Sequence, residues 1–190
     1  MTRSALATAV GTARAVGVDV VVIGATALAT HGLVRSTADL DLLSYDERII
    51  TGRAWEEARK GSIGIDVRAG DAMDPLRGVV RIGPFARMPV DIVVITAAWA
   101  RRIVARALGD EGLKRVFGGI ELPVARLSDI ALLKLYAAAT DDIEDAELFL
   151  RHPSASAVIG EISAEIGHLP RDCRERWARV EPRWRARLLR

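Results

Sequence analysis

Three aspartates occupy places where acids are costly. Asp39 and Asp41 are two residues apart in Ala38-Asp-Leu-Asp-Leu-Leu43, a stretch whose polar and apolar residues alternate. On a strand that spacing sends both carboxylates from one face, while Leu40 and Leu42 leave the other. Neighbouring carboxylates repel one another. A divalent cation relieves the repulsion, and oxygen ligands on a rigid strand suit Mg²⁺, whose octahedron usually also takes water and substrate phosphate. Asp91, in Val90-Asp-Ile-Val-Val94, is a third acid inside a run that otherwise reads as core, where an uncompensated charge is expensive. Three such acids together could hold two metal ions, one activating an attacking hydroxyl and one neutralising a leaving phosphate. Taken alone, Asp39 and Asp41 read more plainly as the wet face of an edge strand.

The residues just upstream supply what a phosphate needs. Val22-Ile-Gly-Ala25 reads as a strand running into a tight turn and a helix, which leaves the backbone N–H groups after Gly24 at the positive end of a helix dipole. Gly24 lets a phosphate approach the backbone, and Ala25 still offers its own N–H. The thirteen residues between Ala25 and Asp39 allow one short helix and a return to the neighbouring strand. Further on, Lys134 lies on a helix that is apolar all round and is therefore expected to be buried. A lysine there requires an anion, either a nucleotide phosphate or a carboxylate such as Asp141 or Asp142. His31 reads as a packed or surface histidine, Thr37 as shaping the turn before Asp39, and Asp66, Asp71 and Asp74 as strand-exit and turn residues.

The elements that must position these groups follow from periodicity and punctuation. Helices are expected at residues 2–16, 25–31, 46–59 and 97–108, and strands at 19–23, 38–43, 63–67, 78–82 and 89–95. A hairpin around Gly118-Gly119 follows over 116–124. From Ser128 the chain reads as helical, at 128–140, 142–151 and 154–167, with a last segment broken near Pro182. The expected fold class is α+β, a mixed sheet flanked by helices with a helical C-terminal half. Residues 1–108 would form the core, and 109–190 a mainly helical region completing the site.

Composition bounds the rest. The 190 residues carry 27 Lys+Arg and 25 Asp+Glu, a net +2, and half are hydrophobic, as in an ordinary globular chain. The longest uncharged stretch, 20–34, is too short to span a bilayer, so no membrane segment is expected. Arg14 and Asp19 interrupt the apolar run that a secretory leader would need. The lone cysteine, Cys173, excludes an intrachain disulfide, and zinc has no ligand cluster, so the chain reads as cytoplasmic. Residues 171–190 hold eight arginines and three acids, a +5 tail that leaves −3 on the remainder. A solvated helix is the plainer reading of that tail, and contact with a phosphate backbone the sharper one. Trp177, Val180, Trp184 and Leu188 form a stripe on it that reads as docked on the core or on a partner.

In this order the motifs resemble the DNA polymerase β-like nucleotidyltransferase superfamily. Gly24-Ala-Thr-Ala-Leu-Ala-Thr-His-Gly32, Arg35-Ser-Thr-Ala-Asp-Leu-Asp-Leu-Leu43, Val90-Asp-Ile92 and Leu133-Lys-Leu-Tyr-Ala137 with Asp142 and Asp145 look like its abortive-infection (AbiEii-type) toxin-related members. The resemblance covers residues 18–150. Ala25 stands where the family has Gly or Ser, and Thr140-Asp141 where relatives carry a basic residue. It implies a nucleotidyltransferase core in which Asp39 and Asp41 ligate two Mg²⁺, or Mn²⁺, and Asp91 the nucleophile-side ion. It further implies Arg35 at a triphosphate oxygen, Lys134 at a phosphate, and Asp145 at ribose or base. The implied reaction moves an NMP from an NTP to an acceptor hydroxyl, with an RNA or tRNA end as acceptor and an antitoxin protein as partner. A small antibiotic-like acceptor and a non-catalytic nucleotide- or partner-binding module are the alternatives.

Overall fold

A computed structural model describes residues 4–71, 73–83, 88–137 and 148–189. Seven strands form one mixed sheet in the order β3-β4-β5-β2-β1-β7-β6. The strands are β1 (Val21–Val22), β2 (Leu40–Ser44), β3 (Ile65–Ala69), β4 (Leu76–Ile82), β5 (Val90–Ile95), β6 (Leu113–Phe117) and β7 (Ile120–Val124). The α+β expectation is met, with a mixed sheet, flanking helices and a helical C-terminal part. β2 lies at the centre, antiparallel to β1 and parallel to β5, and Leu40, Leu42 and Leu43 are buried there. β3, β4 and β5 form an antiparallel meander.

The helices begin and end where the sequence provides signals. α1 (Ala5–Ala15) starts at Ser4, whose hydroxyl oxygen accepts from the Ala7 N–H at 3.1 Å. Its Ala9, Val10 and Ala13 are buried, and the helix packs over β4 and β5. α2 (Gly24–Thr30) links β1 to the loop before β2. α4 (Ala98–Leu108) buries Trp99, Ala100, Ile103, Val104 and Ala107 and packs over β1, β2 and β7. The β6–β7 hairpin turns through Gly118 and Gly119, both in the left-handed region, at φ +53° and +82°. Beyond residue 108 the sheet therefore continues, with β7 pairing parallel to β1 through Val22 and Val124.

Two expected elements differ. The helix expected over 46–59 is instead a pair of 3₁₀ turns, Glu47–Ile50 and Gly52–Trp55, followed by the single-turn α3 (Glu56–Arg59). Thr51 is extended at φ −76° and ψ 137°, and with the β-branched Ile49-Ile50 before it and Gly52 after it the run cannot sustain helical propagation. Trp55 fixes the arrangement from inside, since it is fully buried and its indole N–H donates to the Ile49 carbonyl at 2.6 Å. The C-terminal segment, expected to break near Pro182, is one helix, α7 (Arg171–Leu188), with Pro182 inside it. Pro182 and Ala178 are both exposed, so the carbonyl that loses its donor has water within reach.

The arginine-rich tail is anchored. Cys173, Trp177 and Trp184 are buried, Trp177 meets Trp184 edge-on at 5.5 Å, and Phe149 stacks on Trp184 at 5.9 Å. Burial also pushes the Cys173 thiol up. α7 packs on α5 (Leu127–Ala137) and on α6 (Ala155–Glu165). α4 is joined to both of those by Arg106, which bonds the buried carboxylate of Asp129 with two donors and reaches Glu165 at 3.0 Å. No helix among the described residues is long and apolar enough to cross a membrane.

Candidate metal and nucleotide centre

The register of β2 on β5 brings the acids together. Asp41 and Asp91 are direct partners in the parallel pair, so their side chains leave the same face side by side. Asp39 immediately precedes β2, and Thr37 holds it. The Thr37 hydroxyl is 3.0 Å from both Asp39 Oδ1 and the Asp39 carbonyl, which is the turn-shaping role expected of it. One carboxylate oxygen from each of Asp39, Asp41 and Asp91 lies within 4.8 Å of the others. That separation suits oxygen ligands around a shared cation.

The electrostatics show the strain of leaving these acids to themselves. Burial first, then the charges of Asp39 and Asp91, push the Asp41 carboxyl up to about 6, against the pull of Arg81 and Lys134. Burial likewise raises Asp91, opposed chiefly by Arg81. Asp91 Oδ1 is buried and has no hydrogen-bond partner among the described residues. Such an oxygen set could hold a hard cation.

Gly24 belongs to the same constellation for a reason the sequence did not reveal. Its φ is +65°, and a Cβ built on it would fall 2.2 Å from Asp41 Oδ2. The glycine therefore makes room for the carboxylate as well as keeping the backbone accessible. The Ile23 N–H donates to the Asp41 carbonyl at 2.9 Å, carrying the β1–β2 ladder up to the start of α2. The N-cap residue of α2, Ile23, offers no side-chain acceptor to its first-turn N–H groups.

The other expected residues are distributed unevenly. Lys134, half-buried on α5, is near enough for its charge to draw the Asp41 pKa back down. Arg35 is half-buried in the loop between α2 and β2. Asp141, Asp142 and Asp145 lie outside the described residues. His31 is packed, its Nε2–H donating to the Ala125 carbonyl at 2.8 Å while burial lowers its pKa. Asp71 and Asp74 are turn residues, accepting at 2.8 Å from the Met73 and Leu76 N–H groups.

Arg81 is the residue that sequence reasoning missed. It sits opposite Asp91 in the β4–β5 pair, with Nε 3.4 Å from Asp91 Oδ1 and Nη2 3.5 Å from Asp39 Oδ2. The available signal was an arginine inside Val79-Val80-Arg81-Ile82, a strand reading that otherwise carries only apolar residues.

Comparison with known proteins supports the fold. No family model matches the chain, and no curated protein matches it in sequence. Among solved structures, it is similar to that of the antibiotic-resistance factor ANT(2'')-Ia in solution, with 18% identity, 94% of each chain covered and a TM-score of 0.51. A crystal structure of ANT(2'')-Ia with adenylyl-2''-tobramycin matches at 15% identity over 96% of this chain and 95% of that one, with a TM-score of 0.42. An antigenic nucleotidyltransferase-like protein from Paracoccidioides brasiliensis matches at 13% identity over 94% and 87%, with a TM-score of 0.39. The first of these shows a shared fold, the α+β fold of a nucleotidyltransferase.

Proposed function

We propose that the protein is a metal-dependent nucleotidyltransferase that moves an NMP from an NTP to an acceptor hydroxyl and releases pyrophosphate. The observation that carries this reading is the convergence of Asp39, Asp41 and Asp91 beside the start of α2. The three carboxylates are the groups that would hold Mg²⁺, with two ions in the working complex and Mn²⁺ as a substitute. Once bound, the ions supply charge neutralisation at the phosphates and acidify the attacking hydroxyl. By the family resemblance, Asp91 is the carboxylate assigned to take the hydroxyl proton as the acceptor O–Pα bond forms and the bond from Pα to the pyrophosphate oxygen breaks. The backbone of Gly24 and Ala25 offers N–H donors to the triphosphate, Arg35 a forked donor, and Lys134 a point charge brought from the C-terminal region, residues 109–190. Asp145 is assigned to ribose or base.

The AbiEii-type resemblance makes an RNA end, such as that of tRNA, the first acceptor to test, with an antitoxin as partner and the cytoplasm as the setting. A small antibiotic-like hydroxyl compound is the second reading, favoured by one observation. The arginine-rich tail is a docked helix in which Arg171, Arg176 and Arg185 are paired with Glu175, Asp172 and Glu181, not a free basic arm. Incubation with each [α-³²P]NTP, Mg²⁺ and either total RNA or an aminoglycoside panel separates these readings. Mg²⁺-dependent label in RNA supports the first and in an aminoglycoside the second, and Asp41→Asn abolishes either. NTP binding with no transfer to any acceptor would instead favour the non-catalytic binding module.

A further inference from the structure

The charged ladder around the acids extends one strand further than the proposed reaction uses. Register places Asp41 beside Asp91, Asp91 beside Arg81 and Arg81 beside Asp66, so these side chains of β2, β5, β4 and β3 share one face. Arg81 is within ion-pair distance of two of the three candidate ligands, Asp39 and Asp91. Even so, Asp91 Oδ1 keeps an unused, buried lone pair. The guanidinium thus stands at ion-pair distance from Asp91 Oδ1, 3.4 Å from Nε, without a hydrogen bond to that oxygen.

We propose that Arg81 is the resident counter-charge of the acidic centre: it holds Asp39 and Asp91 together in the ion-free protein and lowers the affinity of the site for a divalent cation arriving without nucleotide. This rests on the cation-site reading given above. Three ionised carboxylates, the Arg81 guanidinium and the Lys134 ammonium whose charge reaches Asp41 sum to −1. One divalent ion leaves such a site positive unless a polyphosphate brings negative charge with it. Without Arg81 the sum is −2, so the first ion binds more tightly and depends less on the nucleotide. Arg81 is in this account a positioning residue that couples cation occupancy to NTP. Asp66, on the other side of Arg81 in the ladder, accepts a hydrogen bond from Arg68 Nε at 2.8 Å.

The test is equilibrium Mn²⁺ binding, followed by the electron paramagnetic resonance of free Mn²⁺, for wild type, Arg81→Gln and Arg81→Lys. Each is measured alone and with a non-hydrolysable NTP analogue. One unit charge at this distance makes the expected tightening of nucleotide-free Mn²⁺ binding in Arg81→Gln at least about tenfold. The enhancement by the analogue should shrink in that variant, and Arg81→Lys, which keeps the charge, should stay within about threefold of wild type. Equal or weaker Mn²⁺ binding by Arg81→Gln, with wild type binding normally, overturns the role of Arg81 alone. Absence of Mn²⁺ binding by wild type even with the analogue, and by Arg81→Gln, overturns the cation-site reading itself. If Arg81→Gln is unfolded without metal, Mn²⁺ should refold it at concentrations below the wild-type Kd, and failure to refold at saturating Mn²⁺ would make Arg81 a structural brace and overturn the proposal.

Discussion

Gly24 and Asp41 fit each other: residue 24 takes the left-handed conformation, and the space its side chain would fill contains Asp41 Oδ2, 2.2 Å from the position of a Cβ. One glycine therefore serves both the turn into α2 and the orientation of a candidate metal ligand. Gly24→Ala is expected to cost about 1–3 kcal/mol through backbone strain and steric displacement. It should also weaken Mn²⁺ binding more than ten-fold, about 1.4 kcal/mol. Urea unfolding and Mn²⁺ titration of the variant measure the two effects separately.

The raised pKa of Asp41 gives the ion-free protein a defined pH response. Between the ordinary carboxylate range and about 6, Asp41 is protonated when folded and ionised when unfolded. The folded state then binds more protons, so stability falls as pH rises through that window and levels off above it. The loss due to this group is about 3 kcal/mol. It should appear as the difference between wild type and Asp41→Asn in urea titrations from pH 4 to pH 7 in chelator, and Mg²⁺ should restore wild-type stability above pH 6.

Asp129 is only 1% exposed, and its carboxylate faces Arg106. Arg106→Ala strands a buried carboxylate and is expected to destabilise the protein by about 3–5 kcal/mol. Adding Asp129→Asn should recover part of that loss. Chemical denaturation of the single and double variants gives the coupling.

The docked tail predicts that its aromatic stripe is core. Trp177→Ala should cost about 3–5 kcal/mol. Removal of residues 171–190 should abolish cooperative unfolding and expose apolar surface to a dye such as ANS. A detachable basic arm would leave both measurements unchanged.

Much of this centre was legible because strand periodicity is local. Asp39 and Asp41 share a face by spacing alone, and Asp91 stands out as an acid in an apolar run. Their meeting required the β2–β5 register, which the motif order implied and the structure supplies. Arg81 was hidden because its partner is set by the β4–β5 register, for which no spacing within residues 76–95 gives a local signal. The unbroken α7 was hidden for a related reason, since buried Trp177 and Trp184 dock it through tertiary packing that outweighs Pro182, whereas the turns at 47–55 carried a local signal in Ile49-Ile50 and Gly52.

The central claim is that the three aspartates and the start of α2 together hold a metal–nucleotide complex. The most direct measurement is anomalous diffraction from crystals grown with Mn²⁺ and a non-hydrolysable NTP. Mn²⁺ peaks ligated by Asp39, Asp41 and Asp91 are expected, with the triphosphate against the backbone of Gly24 and Ala25 and within reach of Lys134. Mn²⁺ absent from the three carboxylates, or a nucleotide bound elsewhere on the protein, would contradict it.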